Sequence, residues 1–119
     1  MKLTIVSDDG AVVRLRLLGP LNQSVLLGLP DPISSLLGTE AYAKKVIVDM
    51  REVEFVDSSG LGWLLACNKQ FRNAHGRLVI HSLPPVVLDM MKVMGLERVL
   101  SIAADEQAAL AMISEVNRE

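Results

Sequence analysis

The chain opens with two short apolar segments that flank a polar turn. Residues 3–7 and 11–18 are rich in Leu, Val and Ile, and residues 8–10 between them read Asp-Asp-Gly. Arg14 and Arg16 alternate with aliphatic residues, the period of a strand with one exposed face. Asp-Gly between two such segments is typical of a hairpin turn. The pattern therefore predicts an antiparallel β-hairpin, which a Gly-Pro pair ends.

After residue 45 the pattern alternates between strands and helices. Three short runs of consecutive aliphatic residues predict strands at 46–50, 77–81 and 99–102. Apolar residues at helical spacing predict three helices, at 58–74, 84–94 and 105–116.

Between the hairpin and these elements, residues 21–45 contain Pro30 and Pro32. A continuous helix does not tolerate them. We therefore expect a broken helix whose better half covers residues 33–43. Strands alternating with helices of these lengths predict an α/β fold: a single domain over residues 1–119, with a mixed β-sheet, an N-terminal antiparallel hairpin followed by βα units, and helices packed on the sheet.

Composition excludes several classes of protein. Half of the 119 residues are hydrophobic and 22% are charged, which excludes disorder of the whole chain. A net charge of −2 argues against a nucleic-acid partner. The single cysteine allows neither an internal disulfide nor a multi-cysteine zinc site. We find neither a signal peptide nor an apolar run long enough to insert into a membrane, so we expect a cytoplasmic protein.

The tetrapeptide Asp57-Ser58-Ser59-Gly60 lies where a loop meets a predicted helix. Asp and Ser are preferred at helix N-caps, so a capping role alone explains them. The same position also suits a modified serine. A phosphate on Ser58 would face backbone N–H groups and the positive end of the helix dipole. Gly60 and Gly62 would let a partner approach the hydroxyl.

Four separated motifs extend this segment into a longer pattern: residues 46–49, 53–62, 76–80 and 93–100. In this order and spacing they resemble the STAS domain family, which includes bacterial anti-sigma factor antagonists and the cytoplasmic tails of sulfate transporters. The end of the hairpin, Gly19-Pro20-Leu21-Asn22, fits the same family. The resemblance covers nearly the whole chain.

The resemblance implies a non-enzymatic partner-switching protein with no cofactor. Ser58 matches the serine that a GHKL-type anti-sigma factor kinase phosphorylates with ATP and that a metal-dependent, PPM-type phosphatase restores. The unmodified form binds the anti-sigma factor, and the modified form releases it. The implied partner-binding residues are Asn22, Asp57, Ser58, Ser59, Gly60, Leu61 and Gly62. Among these, Asp57 would cap the helix, while Ser59 and Leu61 would hold its first turn.

The chain departs from the family at two places. Many antagonists carry an aspartate where this sequence has Asn22, which lacks the charge. Pro30 and Pro32 interrupt what is usually a longer first helix, and that region suits a different partner surface. An alternative function is a non-enzymatic STAS subunit of a transporter or a larger sensory assembly. A strand at residue 3 and a helix near the end favour a free-standing protein.

A response-regulator receiver is the main rival hypothesis. Asp8-Asp9 imitates an acidic metal pair and Asp49 a phosphoacceptor. A receiver would continue from the acidic pair into a helix, however, whereas residues 11–18 predict a strand. Ser101 and its neighbours stand where the receiver's lysine is expected.

Other candidate residues have simpler explanations. A hydrolase built on the acids of residues 49–57 would lack a second catalytic half, and a solvated strand face explains them. Cys67 is expected in the core, His75 at a helix end and His81 at a strand end. The methionines of residues 90–94 are either core or an adaptable contact surface. Trp63 is an interface anchor if it is exposed and packing if it is buried.

Overall fold

Five strands form one mixed sheet in the computed structural model, which describes residues 2–22 and 32–114. Their order in the sheet is their order in the chain. Strands β1 and β2 pair antiparallel, and β2, β3, β4 and β5 pair parallel. The strands are β1 (Lys2–Asp8), β2 (Val13–Leu18), β3 (Lys45–Glu52), β4 (Arg77–His81) and β5 (Ile102–Ala103). The predicted fold class is confirmed.

The hairpin turn is held by the two aspartates at its start. Gly10 N donates to Asp8 Oδ1 over 3.0 Å. The backbone N–H groups of Val12 and Ala11 donate to Asp9 Oδ1 over 2.8 and 2.9 Å. These two hydrogen bonds stabilise the ionised carboxylate and so lower the pKa of Asp9. The acidic pair therefore builds a β-turn that leads directly into β2, which is not the topology of a receiver.

In the described residues, four α-helices accompany the sheet: α1 (Pro32–Leu37), α2 (Ser58–Asn73), α3 (Pro85–Val93) and α4 (Glu106–Ser114). Short 3₁₀ turns occupy Ala41–Ala43 and Leu96–Arg98. The better half of the broken helix, expected at 33–43, is thus α1 followed by a 3₁₀ turn, with Gly38 between them at φ 88°. Residues 23–31, which include Pro30, lie outside the described residues.

The last strand starts later than predicted. Residues 99–100 were expected to be extended, but Leu100 N donates to Leu96 O over 2.8 Å and Val99 N to the same oxygen over 3.0 Å. These bonds make both residues part of the turn that follows α3. The strand β5 therefore contains only Ile102–Ala103. An aliphatic run at this point suits a turn in which Leu100 is buried and Val99 exposed as well as it suits a strand.

The two faces of the sheet bury separate apolar clusters. The larger one combines β2, β3 and β4 with residues of α1, α2 and α3. The smaller one consists of Ile47, Val79 and Ala103 under Ala109 and Ile113 of α4. The helix α4 thus covers one face, and α1 to α3 cover the other. No helix in the described part of the chain is long and apolar enough to cross a bilayer.

The single cysteine and the methionine stripe divide between core and surface. Cys67 is buried, as expected. Met91 is fully buried and Met90 half-buried, whereas Met94 is 55% exposed. Trp63 is half-buried and packs against the larger cluster. Met91 therefore belongs to the core, Met94 lies on the surface, and Trp63 packs against the core.

Candidate functional site

The loop that leads from β3 into α2 is attached to the chain just after β2. Leu21 N donates to Phe55 O over 2.8 Å, and Asp57 N donates back to Leu21 O over 3.2 Å. Leu21 and Val56 form an isolated parallel bridge. The bridge continues the β2–β3 pairing past the ends of both strands. The backbone before α2 is therefore hydrogen-bonded to both the N–H and the carbonyl group of Leu21. We call residues 53–57 the switch loop.

Asp57 begins α2 as its N-cap, as predicted. Its backbone is extended, with φ −97° and ψ −175°, and its Oδ1 accepts a hydrogen bond from Gly60 N over 2.9 Å. Its carbonyl accepts from Leu61 N, also over 2.9 Å. The side chain thus satisfies a backbone donor that the helix itself leaves without a partner.

Gly60 is required by packing inside the protein. A Cβ on this residue would overlap the Leu21 carbonyl oxygen and lie 3.0 Å from Val56 Cγ1. The expectation that Gly60 opens the surface to a partner is therefore corrected, because the residue is buried. Gly62 is exposed and has nothing within 4 Å of an added Cβ, so it does leave open space beside the helix.

The structure brings the predicted partner-binding residues together. Ser58 is exposed at the first position of α2. Ser59 and Asn22 are half-buried, and Asn22 follows the Leu21 that holds the switch loop. Leu61 is buried in the larger core cluster, where it anchors the first turn of α2. The exposed part of the predicted set is thus Ser58 with Gly62.

Phe55 is a surface residue that the sequence analysis did not single out. It is 54% exposed, and Glu54 beside it is exposed too. Val53 N donates to Met50 O over 3.1 Å in a turn at the end of β3, and in the segment that follows Val53 and Val56 are buried whereas Phe55 is exposed. The three-residue spacing of the two buried valines was the available clue in the sequence.

The acidic residues of positions 49–57 lie in different surroundings. Asp49 is buried, accepts from Arg51 N over 2.8 Å and lies 3.7 Å from Arg16 Nε. Glu52 and Glu54 are exposed. Within residues 2–22 and 32–114, no three His, Cys, Asp or Glu side chains are grouped to hold a metal.

The two histidines occupy the positions that were expected of them. His75 follows the end of α2 with φ 65°. His81 ends β4 and is buried, and burial lowers its pKa because the charged imidazolium would lose its hydration. Its Nδ1 lies 2.8 Å from Ser82 Oγ.

The two glycines of α2 form a matched pair for testing the packing against Leu21. We expect Gly60→Ala to lower the free energy of unfolding by about 2 kcal/mol, because the added methyl forces the Leu21 carbonyl away. Gly62→Ala should raise it by up to about 1 kcal/mol, since alanine favours the helix and meets no neighbour. Urea denaturation measures both. If the two substitutions change the free energy of unfolding equally, the close contact between Gly60 and the Leu21 carbonyl is contradicted.

Comparison with known proteins finds relatives that are similar in sequence and in fold. The chain is 27% identical over 111 residues to a Bordetella bronchiseptica protein named "Putative anti-sigma factor antagonist BtrV", and the match covers 93% of each. The anti-sigma factor antagonist SpoIIAA in its unphosphorylated form matches with a TM-score of 0.64 and 25% identity, over 90% of each chain.

Two further solved structures share the fold. The phosphorylated form of Bacillus SpoIIAA gives a TM-score of 0.62 at 23% identity, over 93% of this chain and 97% of that one. A variant of RsbS from Moorella thermoacetica gives 0.72 at 19% identity, over the whole of both chains. A sequence model of the family described as "Mlab, STAS domain" matches residues 5–102. The chain therefore belongs to the STAS domain family.

Proposed function

We propose that this protein is an anti-sigma factor antagonist that is switched by phosphorylation of Ser58. In its unmodified form it binds a kinase-type anti-sigma factor and so frees the sigma factor; in its phosphorylated form it releases that partner. The observation that carries the proposal is the exposed Ser58 on a firmly held helix start, in a chain that resembles named antagonists. One such relative matches this fold in both its unphosphorylated and its phosphorylated form.

The chemistry of the switch needs no catalytic group from this chain. The partner kinase, of the GHKL type, would transfer the γ-phosphoryl group of ATP to Ser58 Oγ, leaving ADP, and a kinase base would take the hydroxyl proton. A PPM-type phosphatase would hydrolyse the phosphoserine to serine and inorganic phosphate. Because the kinase draws on ATP, we expect the protein to act in the cytoplasm.

A phosphate on Ser58 changes the surface far more than it changes the fold. It brings a charge of about −1.5 to −2 next to the Asp57 carboxylate. The N-terminal end of α2 partly offsets this charge, so the modified helix remains stable. A partner surface that fits the unmodified Ser58 hydroxyl and the open space beside Gly62 would meet the added volume and the negative charge of the phosphate. A loss of about 3 kcal/mol would weaken binding roughly a hundredfold.

The proposed contact surface is centred on Phe55, Ser58 and Gly62. An exposed aromatic side chain supplies apolar area that a neutral hydroxyl cannot, and aromatic residues are enriched among interface hot spots. Asn22 and Ser59 lie beside this surface, half-buried. Leu61 and Gly60 hold the helix start from inside, so their contribution to binding is to position the exposed residues.

Affinity capture with Ser58 variants tests the proposed switch. Wild-type protein and Ser58→Ala should retain a GHKL-type ATP-binding kinase, whereas Ser58→Asp should bind it about a hundredfold more weakly. Ser114→Asp is the matched control, because Ser114 is an exposed serine on α4, which covers the other face of the sheet. Mass spectrometry identifies the retained proteins, and calorimetry with the purified kinase measures the affinities.

Three results would overturn this function. If Ser58→Asp binds the kinase as tightly as the wild type, Ser58 does not control the partner. If all the variants retain the same membrane permease and no kinase, the protein is instead a non-enzymatic subunit of a transporter. Phosphorylation of the purified protein by ATP alone would also contradict the proposal, because it would require a catalytic group in this chain.

Phe55 provides a test of the surface that does not touch the serine. Phe55→Ala should weaken kinase binding at least about tenfold through the loss of apolar contact area. It should change the free energy of unfolding by less than about 0.5 kcal/mol, since the ring is largely exposed. Val99→Ala, which removes an exposed apolar side chain far from α2's first turn, is the control and should leave binding unchanged. An equal loss in both variants would contradict a localised contact.

A further inference from the structure

A cleft of about 590 Å³ lies at the edge of the sheet away from Ser58. Its walls are the end of α2, the start of β4 and residues 98–101. The helix α2 runs from the switch loop to this cleft, so Ser58 and Arg72 are separated by roughly 20 Å along its axis. The cleft is therefore a site separate from the proposed switch. Its volume is in the range of small-molecule pockets.

Positive charge is concentrated in this cleft although the whole chain is slightly acidic. Arg72, Arg77 and Arg98 line it together with His75. An adjoining hollow that shares Arg72 continues along α2 to Lys69. Among the described residues, no aspartate or glutamate lines either space. Because the chain as a whole carries a net charge of −2, a cleft lined by basic residues and by no acidic ones differs in charge from the average surface of the protein.

Within residues 2–22 and 32–114, no acidic side chain forms an ion pair with the arginines of the cleft. The ion pairs found in the described part of the chain involve Arg14 and Arg16, and none involves Arg72, Arg77 or Arg98. Three guanidinium groups beside one another repel, and an anion between them would relieve that repulsion. The charge of the cleft thus favours an anionic ligand.

Two hydrogen bonds give the cleft a defined shape. Arg77 is half-buried, and its Nη2 donates to Ser101 Oγ over 3.1 Å, which holds the guanidinium across the gap between β4 and the segment before β5. The buried Asn68 Nδ2 donates to Val99 O over 3.1 Å and fixes the opposite wall to α2. A held guanidinium loses less conformational entropy on binding than a free one.

We propose that this cleft binds the phosphate groups of a small phosphorylated molecule. Guanidinium groups match phosphate oxygens in geometry and form paired, charge-assisted hydrogen bonds with them. Several cations in one pocket suit a ligand with more than one negative charge. The Ser101 hydroxyl and the His75 ring add further polar groups to the lining. The proposal does not depend on phosphorylation of Ser58.

Titration with inorganic pyrophosphate, followed by amide NMR of the ¹⁵N-labelled full chain, tests the site. Saturable shifts are expected at residues 76–78 and 98–101. Arg77→Gln and Arg72→Gln should each weaken binding about tenfold. Arg51→Gln, which removes an exposed arginine outside the cleft, should leave the affinity unchanged. Unchanged amide dispersion in each variant shows that it remains folded.

A parallel titration with ATP distinguishes a free polyphosphate from a nucleotide. Tighter binding of ATP, with added shifts along α2 near Lys69, would assign the ligand as a nucleotide. Equal affinity for both probes would assign recognition to the phosphates alone. Absence of saturation with both probes, shifts centred on Ser58, or an equal loss of affinity in Arg51→Gln would overturn the proposal.

Discussion

The close packing of the Leu21 carbonyl on Gly60 fixes where α2 begins. The carbonyl oxygen accepts from Asp57 N and occupies the space that a side chain at residue 60 would need. The N–H of Leu21 donates to Phe55 O. Leu21, a single residue in the segment that follows β2, therefore holds both the switch loop and the first turn of the helix. The exposure of Ser58 depends on this contact, because it sets the rotation and height of α2 relative to the sheet.

This arrangement separates Ser58, the proposed switch residue, from the core. The buried face of α2 supplies Leu61, Leu64 and Phe71 to the larger apolar cluster, and the ring of Phe71 meets Tyr42 edge-on at a centroid distance of 5.0 Å. Packing of this kind holds the helix in place whatever is attached to its exposed start. A phosphate on Ser58 would then act on a partner through shape and charge. The two ends of α2 would serve different ligands, a protein at one end and a small anion at the other.

Local patterns in the sequence were sufficient for most of the fold. The hairpin follows from an Asp-Gly turn between alternating residues, and β4 follows from the consecutive aliphatic residues Leu78, Val79 and Ile80. The start of α2 at Ser58 follows from the preference of Asp57 for the N-cap. Such features depend on residues that are neighbours in the chain, so the sequence alone predicts them.

The features that were missed depend on contacts between distant segments. The packing role of Gly60 requires knowing that Leu21 lies against it. The exposure of Phe55 depends on the turn between Met50 and Val53 at the end of β3. The basic cleft combines arginines from α2, β4 and the turn after α3, which are up to 26 residues apart in the chain, from 72 to 98. Spacing along a sequence does not reveal that these side chains share one space.

The most direct test of a surface switch on an unchanged fold compares amide NMR spectra with and without phosphoserine at position 58. The protein with genetically encoded phosphoserine should show shifts only around residues 21–22 and 53–63. Its free energy of unfolding should stay within about 1 kcal/mol of the unmodified value. Shifts that spread through β3 and β4, together with a large loss of stability, would contradict the account.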